Sequence, residues 1–335
     1  MTVDEDVIRA LPKVELHVHL EGTFEPDRLR ELSEDRGLKP PIPLDGPMQF
    51  SGLSQFLSFL DWCCGLINTP DQVTRVAYDF AARANRDGTA YAEVIVNPTH
   101  WPALAPPDLV EAIDAGFSRA VADGLTDCRI LVSLLRSQSA EEADRLVRWM
   151  TGDPPARVVG LSIDGNEAAA GRTGPRFAPA YRLAGEAGLG RTAHAGESSG
   201  PEGVVDALDL LGVSRIDHGV RAIESPALVG RLVSDQVPLN VCPISNRVLL
   251  YPDPDLHPLP RLLRAGVPVT INTDDPALLG TDLVRDVAEA ARLCEWGLED
   301  LKRMTRTAID AAFCDQKRKG ELGDLVGSFR PGSSR

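Results

Sequence analysis

Two histidines one residue apart, His17 and His19, stand in the run KVELHVHLEG (13–22), where apolar and polar residues alternate. On a strand, side chains two apart share a face, so the two imidazoles converge. At that spacing they can hold a metal ion or, more plainly, hydrogen-bond within a polar layer. What else can reach the same point decides between the two. Downstream, HAGE carries His194 and Glu197, RIDHGV carries His218, and INTDDP carries Asp274 and Asp275. Four of the six histidines in the chain thus end short apolar runs, leaving His100 and His257 elsewhere. Metal ligands need donors about 2 Å from the ion. His17, His19, His194 and Asp274 supply three imidazoles and a carboxylate, which suits one zinc with a coordination position left for water.

Those residues must be carried by elements that bring distant parts of the chain together. Eight β-branched or apolar runs read as strands: 13–20, 89–96, 128–135, 157–164, 190–195, 214–219, 238–243 and 267–274. Several are apolar nearly throughout, as parallel strands covered on both faces must be. Helix-like stretches such as AEEADRLVRWM, PEGVVDALDLLG and HPLPRLLRAG lie between them. The alternation predicts an α/β fold, a (β/α)₈ TIM barrel forming a single unit over 1–335. The gap of roughly 21–88 is too long for one crossover and predicts extra helices over the barrel mouth, with an irregular loop near 36–54. In such barrels the carboxyl ends of the strands face the active site, and the polar residues of the eight runs concentrate there.

Each further candidate has a plain reading beside a functional one. His218 can be a fifth ligand, a core histidine or, as favoured here, a base beside the metal. Glu197 suits the first turn of a helix, where the dipole welcomes a carboxylate. Beside a metal, the same carboxyl with a raised pKa can carry protons. Asp275 can be an N-cap. If Asp274 is held ionised, however, its neighbour can stay protonated and donate a hydrogen bond. Gly165, in SIDGNE, is either a turn glycine or a place where a flat ligand approaches the backbone N–H. Glu21 either caps a helix or reaches the far end of a ligand. Trp101, with Asn97, Pro98 and His100, either lines the mouth or packs in the core.

Bulk properties narrow the partners. With 35 basic and 49 acidic residues the net charge is −14, which repels phosphate backbones and anionic lipid. No nucleic-acid or membrane partner is expected. No apolar run approaches the roughly 20 residues of a membrane span, and the acidic start MTVDEDVIRA lacks the apolar core of a signal peptide. Six scattered cysteines without a CxxC pair read as buried, reduced thiols of a cytoplasmic protein. The sequence carries no signal for an oligomeric state.

Taken in order, KVELHVHLEG, HAGE, DHG and NTDDP resemble the adenosine deaminase family, which includes adenine deaminases and related 6-aminopurine aminohydrolases. The resemblance spans roughly residues 11 to 315. It implies a zinc-dependent (β/α)₈ barrel, with the zinc held by His17, His19, His194 and Asp274 and with Glu197 and His218 in catalysis. It also implies that Asp275 contacts purine N7 and the Gly165 backbone purine N3, and that His19 and Glu21 face the substrate as well. The fourth strand ends in SIDG, without the lysine that two-metal amidohydrolases use, which favours one metal. The chain has no PCxxC, so it departs from the cytidine-type zinc deaminases. The implied reaction is hydrolytic: protonated Glu197 donates to ring N1, His218 accepts a proton from the attacking water, and C6 loses ammonia.

The motifs divide over the purine. HLEG is similar to adenine deaminases, because the longer Glu21 intrudes where nucleoside enzymes with HLDG place a ribose. DGNE, with its glycine, resembles nucleoside enzymes. HAGESSGPE and GTDL are similar to enzymes acting on modified adenosines. Adenosine-type nucleosides are placed slightly ahead of adenine or an N6-substituted adenine. A reading from another class is an inert metal-binding barrel, which would be expected to lose Glu197, His218 or Asp275 first. All three are present.

Overall fold

The computed structural model describes residues 3–45, 48–152, 154–251 and 253–332. Parallel strands form the centre: β1 (Lys13–His19), β2 (Thr89–Val96), β3 (Asp127–Leu135), β4 (Val158–Asp164) and β5 (Gly190–Arg191), followed by β6 (His194–Ala195), β7 (Ile216–His218), β8 (Leu239–Val241) and β9 (Val269–Ile271). Every run predicted from the sequence contains a strand, but the fifth is split in two. The break falls at Thr192 and Ala193, so hydrogen bonding divides into a sheet β1–β5 and a sheet β6–β9. Thr192 nevertheless still donates to the Leu161 carbonyl (3.0 Å), which keeps the two halves of the fifth strand in line.

Closure occurs at the other seam. His19 N–H donates to the Asp274 carbonyl (2.7 Å) and Asp274 N–H to the His17 carbonyl (3.2 Å). This one contact brings the first and last strands together and puts three candidate ligands within a few residues of the seam. The chain therefore closes as the eight-position barrel that the strand count predicts, with all β1 residues buried.

The later strands are shorter than predicted, three residues each for β7, β8 and β9. Two ladders end near a non-glycine residue at positive φ: His218 (φ 62°), the last residue of β7, and Asp274 (φ 67°), three residues past β9. Such conformations cost roughly 1–3 kcal/mol each and gather at functional sites. Both residues are candidates from the sequence.

Local signals account for the crossover helices. Helix Ala140–Met150 starts on a capping box, Ser139 with Glu142, and buries Ala143, Leu146, Val147 and Met150 at helical spacing. Helix Pro70–Arg86 repeats the device with Thr69 and Gln72. HPLPRLLRAG yields the shorter helix Leu259–Arg264. PEGVVDALDLLG is helical over Pro201–Asp206 and widens into a π-type turn over Ala207–Leu211.

After β1 the insertion holds helices Pro26–Asp35 and Leu53–Gly65 ahead of the crossover helix Pro70–Arg86. Between 36 and 52 the described residues form no helix; residues 46–47 of the expected loop lie outside those described. Helix Leu53–Gly65 buries Phe56, Phe59, Leu60, Cys63 and Cys64, and its Leu53, Phe56, Leu57 and Leu60 roof the cavity over the strand ends. All six cysteines are free, but Cys294 and Cys314 are only half-buried, against the expectation that all would be inside. No helix among the described residues is long and apolar enough to cross a membrane.

Candidate active site and metal centre

One cavity of about 500 Å³, counted out to its mouth, collects His19, Glu21, Gly165, His194, Glu197, His218, Asp274 and Asp275 at the carboxyl ends of the strands. Three of the four candidate ligands, His19, His194 and Asp274, line it and His17 is buried beneath it; the ligand atoms of all four lie within 4.8 Å of one another. His19 Nε2 is 2.9 Å from His194 Nε2, and His17 Nε2 is 3.0 Å from Asp274 Oδ1. His19 Nε2 is 3.4 Å from that same oxygen. Ligands about 2 Å from a common zinc would stand about 3.3 Å apart at tetrahedral angles. The observed separations straddle that value.

On two of the rings the other nitrogen faces an acceptor, which turns Nε2 toward the centre. His194 Nδ1 donates to the Ile163 carbonyl (3.0 Å). His17 Nδ1 is 3.3 Å from Asp217 Oδ1, the histidine–carboxylate pairing that orients metal-binding imidazoles. Charge points the same way. Burial alone would lower the pKa of His17, yet Asp217 and Asp274 outweigh it and raise the value to about 10. Burial meanwhile lowers His19 to about 4 and holds His194 well below the ordinary range, where the neighbouring histidines push it further. The buried acids demand a positive charge that only one of three rings can carry. A divalent cation satisfies that demand, so the residues fit zinc.

Glu197 and His218 face each other beside this set, Glu197 Oε1 lying 3.6 Å from His218 Nε2. Contrary to the plain reading, Glu197 is not in a helix: it sits in a bend, and the helix begins at Pro201. Burial raises its pKa, the charges of Asp274 and Glu167 add to that, and His218 opposes them. His218 Nδ1 lies 3.3 Å from the Asn246 amide nitrogen, while Asn246 Oδ1 has no partner. A half-turn of that amide lets Oδ1 accept from Nδ1–H. Nε2 then carries the lone pair toward Glu197 and toward Asp274 Oδ2, 3.9 Å away.

Asp274 and Asp275 have opposite environments. Burial disfavours charge on Asp274, but His218, His17 and His19 prevail and hold it well below the usual carboxylate range. Ser245 Oγ also donates to its Oδ2 (2.7 Å). Asp275 is pushed well above that range by burial and by the charge of Asp274. It occupies the N-cap position of Pro276–Leu279, and its carbonyl accepts from Leu279 N–H (3.0 Å), but its side chain makes no cap hydrogen bond, so the carboxyl is left for the cavity. Gly22 is dictated by this residue, since a Cβ there would overlap the Asp275 backbone and carboxylate.

Gly165 turns at φ +96°, open to a glycine and strained for other residues, and its backbone lines the cavity. Glu21 is buried, and its Oε1 accepts from Asn97 N–H and Trp101 Nε1–H, both at 2.8 Å. Oε2 has no hydrogen-bond partner, and burial raises the carboxyl to about 7. Of the two roles weighed for it, Trp101 takes the core one: it is buried, packs on Phe24 (ring centroids 5.8 Å apart) and does not line the cavity, reaching the site only through Glu21. No arginine or lysine is among the described residues lining the cavity.

A family model described as adenosine deaminase matches residues 12–329. The chain belongs to the adenosine deaminase family. It is 37% identical over 343 residues to an adenine deaminase of Cupriavidus metallidurans, covering 98% of this chain and 95% of that one. Among solved structures it is similar to an adenine deaminase from Arthrobacter aurescens, with a TM-score of 0.88, 30% identity and coverage of 95% and 98%. It is also similar to an amidohydrolase from Burkholderia ambifaria with bound Zn, with a TM-score of 0.85, 29% identity and coverage of 98% and 96%.

Sequence reasoning passed over several residues that serve this family site indirectly. Asp217 is fully buried, accepts from Asn240 Nδ2 (2.8 Å), and is held well below the usual carboxylate range. Burial opposes that charge, and the adjacent His17 overrides it. Its signal was present, since it precedes His218 in the same motif. Asn97, weighed from the sequence only as a mouth or core residue, bridges Glu21 to Asp164: its N–H donates to Glu21 Oε1 and its side-chain amide to Asp164 Oδ1 (2.5 Å). Ser245 and Asn246 have no motif of their own and are recognisable only once β8 is folded against its neighbours.

Proposed function

We propose that this chain is a zinc-dependent aminohydrolase of 6-aminopurines, cleaving the C6–N bond of a cyclic amidine and releasing ammonia. The observation that carries this reading is the cavity at the strand ends, at whose floor a buried three-histidine, one-aspartate set faces an acid–base pair. His17, His19, His194 and Asp274 hold the zinc. When bound, zinc lowers the pKa of a coordinated water from about 15.7 to about 7, which supplies a nucleophile at neutral pH.

The remaining work falls to side chains. Glu197, whose carboxyl burial pushes toward its neutral form, donates to ring N1 and makes C6 electrophilic. His218 takes the proton of the attacking water on Nε2. Asp275, protonated for the reasons above, donates to N7, and the Gly165 N–H to N3. An inert barrel has no use for a carboxylic acid held neutral opposite a base.

The substrate should carry no phosphate. Glu21, Asp164, Glu197, Asp274 and Asp275 all line the cavity without an arginine or lysine among the described lining residues. Similarity to relatives named adenine deaminase supports free adenine as the first reading, ahead of the nucleosides that the sequence motifs favoured. Its N9–H can donate to an acceptor such as Glu21 Oε2, which a nucleoside N9 cannot do. Adenosine-type nucleosides remain the second reading, favoured by Gly165. Six free thiols among the described residues fit a reducing compartment such as the cytoplasm.

The test is ammonia release from adenine, adenosine, deoxyadenosine, N6-substituted adenines, 5′-modified nucleosides and AMP. Turnover of a neutral purine with AMP inert is expected. Preference for AMP would overturn the charge argument, and no turnover of any purine would overturn the reaction. E197Q should lower kcat by about 10²–10⁴-fold with its zinc content intact.

A further inference from the structure

The loop that carries Glu197 has little structure of its own. Residues 196–199 are bends between β6 and helix Pro201–Asp206, with Gly196 at φ +64°. One buried side chain from elsewhere holds it. Glu167 Oε1 accepts from Gly196 N–H (3.1 Å), and Oε2 accepts from Glu197 N–H (3.2 Å) and Ser199 N–H (3.2 Å). Lesser ties are Ala168 N–H to Ser198 Oγ (3.4 Å) and Arg221 N–H to the Gly196 carbonyl (2.9 Å). The fold also reserves the space Glu167 occupies: a Cβ on Gly203 would overlap its Oε1.

Glu167 is 3% exposed and is not among the residues lining the substrate cavity; it lines a second one, with His194 common to both. In the chain it lies two residues past Gly165. N1 and N3 of a purine flank C2 on one edge of the ring, so the groups facing them must keep a fixed separation. Glu167 links the Gly165 turn, which faces N3, to the backbone of Glu197, which faces N1.

Resting on the reading of Glu197 as the acid, we infer that Glu167 is the positioning residue that fixes the Glu197 loop against the Gly165 turn, and that turnover depends on it. A carboxylate suits the task because its oxygens only accept. A glutamine would direct amide hydrogens at one or more of the three N–H groups. Misplacing a catalytic group by about 1 Å can cost about 10²-fold, so a side chain remote from the chemistry can still set kcat.

The test is a double-mutant cycle on the zinc-loaded enzyme, with its best neutral purine as substrate. E167A should lower kcat by about 10²-fold and E167Q by less, with KM and zinc content close to wild type. G203A keeps the carboxylate but presses on it, and should lower the same parameter. In an E197Q background, E167Q should cost nothing further, because a residue acting through Glu197 has nothing left to position. Wild-type kcat in E167A, or losses that multiply in the double variant, would overturn the inference. If E167A does not fold, E167Q and G203A decide by the same criteria. Wild-type turnover in E197Q is a different failure: it removes the acid assignment itself, whereas inactive E197Q beside fully active Glu167 variants removes only this inference.

Discussion

The two ends of the barrel both bury charge, and they treat it in opposite ways. At the amino end of the strands, Arg215 is fully buried with NH2 2.6 Å from Glu93 Oε2. Its NH1 donates to the Ala311 carbonyl (3.0 Å), and its guanidinium lies 3.9 Å above the Phe313 ring. Glu93 Oε1 in turn accepts from Tyr91 OH (2.9 Å) and Phe313 N–H (2.5 Å). Lys13 donates to the carbonyls of Ile8 (2.6 Å) and Leu11 (2.8 Å). At the carboxyl end, Glu21 Oε2, Asp164 Oδ2 and Asp275 Oδ1 have no hydrogen-bond partner, and burial raises Glu21 and Asp275 toward neutrality. Compensated charge locks a structure; uncompensated charge waits for a ligand. One end is therefore expected to govern stability and the other chemistry.

Removing the cation breaks the carboxyl end most severely. Chelation, or H194A, should reduce deamination to background while far-ultraviolet circular dichroism still reports a folded barrel, and zinc should restore the chelated wild type but not H194A. D217N, which loosens the carboxylate holding His17, should weaken zinc affinity by about 10–100-fold, measured by competition with a chelating dye. Full activity after complete zinc removal would end the comparison, since that end would then need no ligand.

Breaking the amino end should do the reverse. R215M leaves Glu93 buried without its cation, a loss of about 3–5 kcal/mol measurable by urea unfolding. The fraction still folded should keep kcat within a few-fold of wild type, because the hydrogen bonds of Arg215 end on the Ala311 and Leu16 carbonyls and on no candidate ligand side chain. A large fall in kcat at unchanged stability would show that the two ends are not separable.

The same contrast explains what could be read from the amino-acid sequence. The catalytic end announces itself, because a metal and an acid–base pair need rare residue types at strand ends, as in HVH, HAGE, DHG and TDDP. Strand positions were legible for the related reason that two-sided burial demands apolar runs. Less legible was where strands stop. The left-handed turns at His218 and Asp274 and the break at Thr192 depend on closure of the barrel, which no local pattern encodes. Compensating partners were least legible. Glu93 and Arg215 lie 122 positions apart, and Glu167 looks like any glutamate opening a short helix. Their meaning comes from neighbours that only the fold supplies.

At the rim of the carboxyl end lies a pair that water reaches, where the contrast should nearly vanish. His100 Nδ1 is 2.6 Å from Asp61 Oδ1, joining the barrel rim to helix Leu53–Gly65 over the cavity. Burial works against a charge on His100, but the Asp61 hydrogen bond, with Asp164 and Glu21 behind it, raises its pKa from 6.5 to about 8. The stabilisation is therefore complete below about pH 6.5 and is lost as pH rises through about 8. Because the Asp61 side chain is 60% exposed, solvent screening limits the pair to about 0.2–1 kcal/mol. D61N should accordingly melt a degree or two below wild type at pH 6 and together with it at pH 9. A gap of several kcal/mol, or one that widens with pH, would mean that this rim pair behaves like the sealed Arg215–Glu93 pair and that burial is not what separates the two ends.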